Sequence, residues 1–192
     1  MFKIFKKKIV IFVIFFIVLS SLLLYFFWKN SFTTNTNNLN AFKYEEIIQE
    51  INKNTLKNLN SAENFIIKNQ NTYGTFTAMI LAKKYILKDN FERAIIQLNN
   101  SLKYTKEENL KNILKIRIAK IKIQKKEYTQ ALDILQTIKN QNWSNIIENL
   151  KGDIFFEKND KKMALKHWKK SFFLENSNAS KEIINMKINE LK

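Results

Sequence analysis

The feature that most constrains this chain is an uncharged stretch of twenty residues from Ile9 to Trp28. Sixteen of these residues are Ile, Val, Leu or Phe. Because an α-helix rises about 1.5 Å per residue, the stretch is long enough to cross the hydrocarbon core of a bilayer, which is about 30 Å thick. Tyr25 and Trp28 lie at one end, where aromatic rings favour the lipid headgroups. The sequence therefore predicts a transmembrane helix over residues 9–28.

The charges on either side predict its orientation. Residues 1–8 contain four lysines, whereas Lys29 is the only charged residue between the stretch and Lys43. Since positive flanks favour the cytoplasmic side, residues 1–8 are predicted to be a cytoplasmic stub and everything after Trp28 to be exported. The alternative is a cleaved signal peptide. Its apolar region would be about 7–15 residues long and would end at small residues, which segment 26–30 lacks.

Composition indicates the class of fold. The 192 residues include no Cys, no Pro and only two Gly. Without Cys, no disulfide framework can hold an exported domain together. With so few breakers, the chain favours helices joined by short polar turns over a β-sandwich or barrel. We therefore predict an all-α protein, with a polar linker rich in Asn and Thr at 29–40 and one helical domain at 41–192.

The formal net charge of +16 raises the question of a polyanionic partner. The lysines are spread along the whole chain, and Arg occurs only at Arg93 and Arg117. Bias towards Lys, Asn, Ile and Phe is typical of an A+T-rich genome, which we take as the main cause of the charge. Attraction to a polyanion or a membrane surface is the alternative. Nucleic acid is not among the predicted partners.

From Tyr73 onward, the chain repeats a pattern in which a small residue is followed twelve positions later by alanine. The copies, 37 and 33 residues apart, are Ala82 with Ala94, Ala119 with Ala131, and Gly152 with Ala164. A polar turn lies inside each copy, at residues 88–90, 125–127 and 158–160. Small residues allow two helices of a hairpin to cross closely. The pattern resembles the tetratricopeptide repeat, a helix–turn–helix unit of about 34 residues.

Apolar residues at helical spacing predict further helices on both sides of the repeats. Two helices before them are indicated by Tyr44, Ile47, Ile48 and Ile51, and by Leu56, Leu59, Ala62 and Ile66. A last helix, starting near Ala179, is indicated by Ile184, Ile188 and Leu191. A helical solenoid needs such a cap because its final repeat would otherwise expose an apolar flank.

The segment from Leu114 to Ile123 is ambiguous because apolar and basic residues alternate in it, as they do in a β-strand. We favour a helix for three reasons. A middle helix packed on both sides would carry apolar residues around most of its circumference. Thr105 and Glu108 have the spacing of a capping box, which marks a helix start. In addition, neither Gly nor Pro interrupts the following seventeen residues.

The ordered set of segments resembles the family of ancillary SecYEG translocon subunits (YfgM-like) of Gram-negative bacteria. The residues that carry the resemblance are Asn71–Gly74, Glu108–Lys111, Arg117–Ala119, Ala131–Leu132, Leu135, Ile138–Lys139, Trp143, Leu150–Asp153, Trp168 and Met186–Asn189. None of these segments is diagnostic alone; their order and spacing from the anchor to the C-terminus carry the resemblance.

The resemblance implies a single-pass protein of the bacterial inner membrane with a periplasmic tetratricopeptide domain. It also implies association with the SecYEG translocon and with a membrane-anchored periplasmic chaperone of the PpiD type, and a role in passing exported polypeptides to periplasmic chaperones. The family's cytoplasmic segment is longer and acidic, so no cytoplasmic regulatory role is carried over to this basic stub. A different class of function, a scaffold for cell division or wall synthesis, would use the same repeats.

Tetratricopeptide domains bind partners along a concave face formed by the first helix of each pair. The family's groove positions correspond in this chain to Phe76, Met79, Lys83, Ile86, Leu87, Ile113, Ile116, Lys120, Ile123, Ile146, Asn149, Asp153 and Phe156. This mostly apolar set predicts a groove for a helix or an extended apolar segment. The alternative is that several of these residues belong to the core.

The serines of the predicted transmembrane helix and the single histidine are two further candidate sites. Ser20 and Ser21 are candidate contacts with another transmembrane helix, because hydroxyl and small residues allow close approach; alternatively, they bond their own preceding turn. His167 is the only His and is interpreted as a surface residue. One His and no Cys cannot build a zinc site or a Cys–His nucleophile, and no glycine-rich phosphate loop is present. We predict no enzymatic activity and no cofactor.

Overall fold

A computed structural model of the protein describes the backbone of residues 2–53 and 55–191, and the side chains in these ranges except those of 2–14 and 29–39. The chain divides into two compact units, residues 1–46 and 47–192. All regular secondary structure in the described residues is helical, which confirms the all-α prediction.

Helix α1 comprises Phe2–Lys53 and provides the whole of the first unit that is described. Its large apolar side chains between Phe15 and Trp28 are exposed, up to 78% for Phe27. Among the described residues, no helix combines the length and the apolar character that crossing a membrane requires. The predicted span over 9–28 begins with six residues whose side chains lie outside the described part. The span and the stub at 1–8 therefore stay predictions.

The predicted linker at 29–40 has a helical backbone, because it is part of α1. It contains neither Gly nor Pro, so no residue in it forces the helix to end. The side chains of 29–39 lie outside the described part, and the predicted domain boundaries stay a prediction.

The second unit consists of the end of α1 followed by short helices joined by tight connections. These are α2 (Leu56–Lys68), α3 (Thr72–Ile86), α4 (Phe91–Tyr104), α5 (Glu108–Gln124), α6 (Tyr128–Gln136), a 3₁₀ turn (Gln141–Trp143), α7 (Ser144–Glu157), α8 (Lys161–Leu174) and α9 (Asn178–Asn189). Helices α3 and α4, α5 and α6, and α7 and α8 pack against each other as hairpins, as the repeat pattern predicts.

The small residues of the repeat are buried where the helices of each hairpin meet. All six are inaccessible or nearly so: Ala82, Ala94, Ala119, Ala131, Gly152 and Ala164. The predicted helix that caps the end of the solenoid is also confirmed. This helix, α9, packs on α8 and buries Ile184 and Ile188 in one cluster with Trp168.

The core of the second unit consists of three clusters that follow one another along the chain. The first extends from Ile51 to Ile121 and includes Leu81, Leu98 and Leu114. The second extends from Ile116 to Ile154, and the third from Ala164 to Ile188. Helix α5 contributes to the first two clusters, which explains why its apolar residues surround most of its circumference and imitate a strand pattern.

Helix α5 confirms the helical prediction for residues 114–123, but the predicted capping box is wrong. The N-cap is Glu107, whose carboxylate accepts hydrogen bonds from the backbone N–H groups of Asn109 and Leu110 at 2.9 and 2.6 Å. Thr105 instead ends α4, where its hydroxyl donates to the Ser101 carbonyl at 2.8 Å. The Thr105 hydroxyl also lies 3.1 Å from that of Thr75. The Thr105 side chain therefore interacts within the α3–α4 hairpin and does not cap α5.

Each hairpin turn contains one residue in the left-handed region, at the same position of the repeat. The φ angles are 56° at Asp89, 62° at Lys126 and 61° at Asn159. The N–H of the following residue then donates to a carbonyl five residues earlier, as from Asp160 to Phe155 at 2.9 Å. Asp and Asn tolerate this conformation better than Lys does, so the middle turn is the strained one.

Replacing Lys126 with Gly is expected to raise the free energy of unfolding by about 1 kcal/mol, because Gly has no Cβ to clash at positive φ. Denaturant unfolding followed by circular dichroism measures the change. The control is Gln124→Gly, at the end of α5, which should lower stability by up to about 1 kcal/mol. A loss of stability in both variants would contradict the assigned turn conformation.

Candidate partner-binding surface

Helix α3 and its C-cap residue carry five of the predicted groove residues. Phe76, Lys83 and Leu87 are exposed, and their spacing of seven and four places them on one side of the helix. Met79 and Ile86 are partly buried against the first core cluster. The first hairpin therefore offers two apolar side chains and one cation to a partner.

Helix α5 carries four predicted groove residues, of which Lys120 alone is exposed. Ile113 is partly buried, and Ile123 is partly buried against the second cluster. Ile116 is only 7% exposed and belongs to that cluster. For Ile116, the burial favours the core alternative, because a partner could not reach its side chain without local opening.

Helix α7 carries the remaining predicted positions, and α9 engages two of them. Asn149 and Asp153 accept hydrogen bonds from the ammonium of Lys187 at 2.9 and 2.6 Å. Asp153 also accepts one from the Trp168 indole N–H at 2.9 Å. Ile146 is partly buried, while Phe156 is exposed with its ring 5.5 Å from that of Trp168. At this end, the capping helix already fills part of the predicted groove.

Fewer of the predicted groove residues are therefore accessible to a partner than the sequence predicts. Its exposed members are Phe76, Lys83, Leu87, Lys120 and Phe156. Large apolar groups with two cations suit an apolar or acidic peptide segment. Binding there stays a prediction.

Ser20 and Ser21 use their hydroxyl protons within α1. The Ser20 hydroxyl donates to the Ile17 carbonyl at 2.9 Å, and that of Ser21 donates to the Val18 carbonyl at 2.8 Å. This is the local bonding that the alternative predicts. Contact with a partner helix would have to use their remaining acceptor capacity and small size.

His167 is not a surface residue, contrary to the prediction. It lies between α7 and α8, with its Nδ1 2.6 Å from Oε2 of Glu148 and its ring stacked on Phe155 at a centroid distance of 5.1 Å. Because an ionised carboxylate only accepts hydrogen bonds, Nδ1 carries the proton. Lys170 donates to the other Glu148 oxygen at 3.1 Å. Sequence reasoning missed this cluster because its members lie 19 and 22 residues apart and meet only in the register of the hairpin.

Glu148 is a buried carboxylate whose charge is retained by its partners. Burial opposes ionisation, but the hydrogen bonds from His167 and Lys170 outweigh it and lower the pKa of Glu148. A lowered folded-state pKa stabilises the fold above the unfolded-state pKa of about 4.3, and this contribution disappears as pH falls through the folded-state value.

A Glu148→Gln variant is expected to lose about 2 kcal/mol of unfolding free energy at pH 7, since Gln keeps the shape but removes charge-assisted hydrogen bonds. The difference from the wild type should shrink as pH falls below about 4.3. Denaturant unfolding at several pH values measures it. The matched control is Glu182→Gln, an exposed carboxylate on α9 with the same change in charge. A constant difference between pH 7 and pH 3 would show that charge is not the cause.

A second polar network joins α2, α3 and α4. The Tyr85 hydroxyl donates to Glu63 at 2.6 Å, and the Gln97 amide donates to the same oxygen at 3.0 Å. Burial, followed by the bond to Glu63, raises the pKa of Tyr85 to about 12. Arg93 lies over the Tyr85 ring, 5.6 Å from its centroid. The network fixes the register of three helices and forms no open site.

The described residues also contain no group of three or more His, Cys, Asp or Glu that could hold a metal ion.

Comparisons with known proteins agree with the repeat architecture. A family model described as "Tetratricopeptide repeat-like domain" matches residues 2–192. The "Ancillary SecYEG translocon subunit" of Buchnera aphidicola subsp. Acyrthosiphon pisum (strain APS) is 62% identical over 165 residues, 86% of each chain. Its namesake from Escherichia coli (strain K12) is 32% identical over 151 residues, 79% of this chain and 73% of the relative.

No solved structure matches the chain. The family match covers nearly every residue, and the similarity to the two relatives extends over more than two thirds of each. The chain therefore belongs to the tetratricopeptide repeat-like family of ancillary SecYEG translocon subunits.

Proposed function

We propose that this protein is a membrane-anchored, non-catalytic interaction module that associates with the SecYEG translocon and helps to pass exported polypeptides to periplasmic chaperones. The observation that carries the proposal is the 62% identity, over 86% of the chain, to a relative named for that translocon. Hairpins of the tetratricopeptide type are scaffolds for binding partners rather than for chemistry.

The membrane anchor in this proposal is the segment 9–28. It is supported by twenty uncharged residues and by the exposure of its described apolar side chains, which would be costly in water. The four lysines before it support a cytoplasmic N-terminus and a periplasmic repeat domain in the inner membrane. Exported chains emerge from the channel on that side, close to a tethered domain.

The binding surface in this proposal consists of Phe76, Lys83, Leu87, Lys120 and Phe156, which are the exposed members of the predicted groove. Unfolded exported polypeptides present apolar segments that such side chains can contact. A PpiD-type membrane-anchored chaperone is the proposed second partner, next to which the polypeptide would be released.

The test has two parts. First, the full chain, solubilised in mild detergent, should co-purify with SecYEG; intact protein that does not co-purify would contradict the association. Second, a photoreactive amino acid at Phe76, Leu87 or Phe156 should crosslink to exported polypeptides and to the chaperone. The control position is Ile96 on α4, whose 52% exposure lies between the 38% of Phe156 and the 72% of Leu87. Equal crosslinking from Ile96 would contradict the groove, and midcell foci in cells would favour the scaffold function instead.

A further inference from the structure

The outer side of α8 combines positive charge with an exposed aromatic ring. Residues 161–174 include five lysines and no acidic residue. Lys162, Lys166, Lys169 and Phe173 are all exposed, and their spacing of four, three and four places them on one face of the helix. Phe173 is 82% exposed. We call these four residues the basic face of α8.

Four carboxylates near α8 have partners other than the lysines of the basic face. Asp160 caps the helix by accepting from the Met163 N–H at 2.9 Å. Glu148 is bonded to His167 and Lys170, and Asp153 to Lys187 and Trp168. Glu175 accepts from Asn145 and from the backbone of Asn176 and Ser177. In the described part of the chain, the three lysines of the basic face form no ion pair, so their charges remain available.

We propose that the basic face of α8 binds the surface of a bilayer that contains anionic phospholipids. Lysine ammonium groups are compact, strongly hydrated point charges on flexible stems, which suits a diffuse field of headgroups better than a fixed bidentate partner. Each lysine near an anionic membrane surface strengthens binding by about fivefold. A phenylalanine on the same face can enter the boundary between headgroups and acyl chains.

This inference rests on the proposed membrane tether for its place in the cell, because a tether raises the effective concentration of lipid at the domain. Its test needs no translocon, so it can fail independently of the proposed function. The chain has no cysteine, so a single introduced cysteine can carry a nitroxide spin label. Leu174, which is exposed beside Phe173, is the labelling position, and Ile96 on α4 is the control position.

The full-length labelled protein is mixed with vesicles of phosphatidylcholine alone or with 30% phosphatidylglycerol, and electron paramagnetic resonance measures label mobility and collision with oxygen. At position 174, mobility should fall and oxygen collision should rise with the anionic lipid only, and high salt should reverse both. Position 96 should not change. Lys162→Gln, Lys166→Gln and Lys169→Gln together should weaken the lipid contact about 100-fold.

The matched control replaces three exposed lysines outside both proposed surfaces, Lys57, Lys106 and Lys139, with Gln, which removes the same net charge. It should leave the lipid contact unchanged. An equal loss in both triple variants would show that net charge, rather than the basic face, attracts the lipid. A label at 174 that does not distinguish the two vesicle types would overturn the proposal. If the α8 variant kept its lipid contact but lost SecYEG co-purification, the ligand of the basic face would be an acidic protein instead.

Discussion

A Gly152→Ala variant is expected to lose about 3 kcal/mol of unfolding free energy, although alanine is the better helix former by up to about 1 kcal/mol. A Cβ built at Gly152 would lie 2.2 Å from Cδ1 and 2.4 Å from Nε1 of Trp168, far inside van der Waals contact. The indole cannot easily move away, because it is only 2% exposed and donates to Asp153 at 2.9 Å. The α7–α8 hairpin would have to open.

The other two hairpins show how the clash can be relieved. In each copy, the small residue lies sixteen positions before a large one: Ala82 with Leu98, Ala119 with Leu135, and Gly152 with Trp168. All six residues are buried, and all except Gly152 belong to one of the core clusters. Alanine thus occurs with leucine, and glycine with tryptophan. The double variant Gly152→Ala with Trp168→Leu recreates the arrangement of the first two copies.

The double variant should therefore be more stable than Gly152→Ala alone, even though Trp168→Leu alone should cost about 2–3 kcal/mol through the cavity it leaves. Denaturant unfolding of the four proteins gives a double-mutant cycle, whose coupling energy should be about 2 kcal/mol or more. Additive losses would show that the two side chains do not share one space. Ser144→Ala, in the first turn of α7 and away from the crossing, provides a reference for substitution in the same helix.

A Gly74→Ala variant is expected to lose at least 3 kcal/mol, because the obstacle there is the backbone itself. The added Cβ would lie 1.9 Å from the carbonyl oxygen of Asn69 and 2.8 Å from the Tyr104 hydroxyl. The Asn69 carbonyl accepts from the Asn71 N–H at 2.8 Å, and the Asn71 side chain accepts from the Gly74 N–H at 3.1 Å. A shift of this carbonyl would therefore break the connection that caps α3.

Removal of the nearby hydroxyl should not rescue this variant. Tyr104→Phe combined with Gly74→Ala should remain as unstable as Gly74→Ala, within about 0.5 kcal/mol, because the carbonyl stays in place. Thr72→Ala, exposed in the same turn, should change stability much less than Gly74→Ala does. Thermal and denaturant unfolding measure both. Full rescue by Tyr104→Phe would show that the hydroxyl, and not the backbone, sets the requirement for glycine.

The helices and the hairpins could be predicted because their signals are local or periodic. The spacing of Ala82, Ala94 and their counterparts reflects close helix crossings, and these residues are buried as expected. The polar turns also recur, with their left-handed residues at Asp89, Lys126 and Asn159. Such features depend on neighbours in sequence, so the sequence alone contains the information.

The errors concern side chains whose partners lie on another helix. Thr105 had the spacing of a cap, but the end of α4 and Thr75 use its hydroxyl. His167 looked solitary in the sequence, but hairpin register brings it to Glu148, 19 residues away.

The groove prediction was limited in the same way. Repeat position identifies the first helix of each pair, but it does not tell which side chains the neighbouring hairpin covers. Ile116 is buried in the second cluster. Asn149 and Asp153 already accept hydrogen bonds from Lys187 of α9. The terminal repeat is affected because its cap packs where a further repeat would begin.

The three successive clusters have a consequence for how the chain folds as it is made. The buried residues of the first cluster end at Ile121, with Ile134 packed against them, and those of the second cluster end at Ile154. A chain that appears from its N-terminus can therefore complete one cluster while the residues of the next are still being synthesised. Because α5 contributes to both of the first two clusters, the folded first cluster presents a surface of α5 on which the second cluster can pack. Shortening the protein from its C-terminus should accordingly leave the earlier hairpins folded.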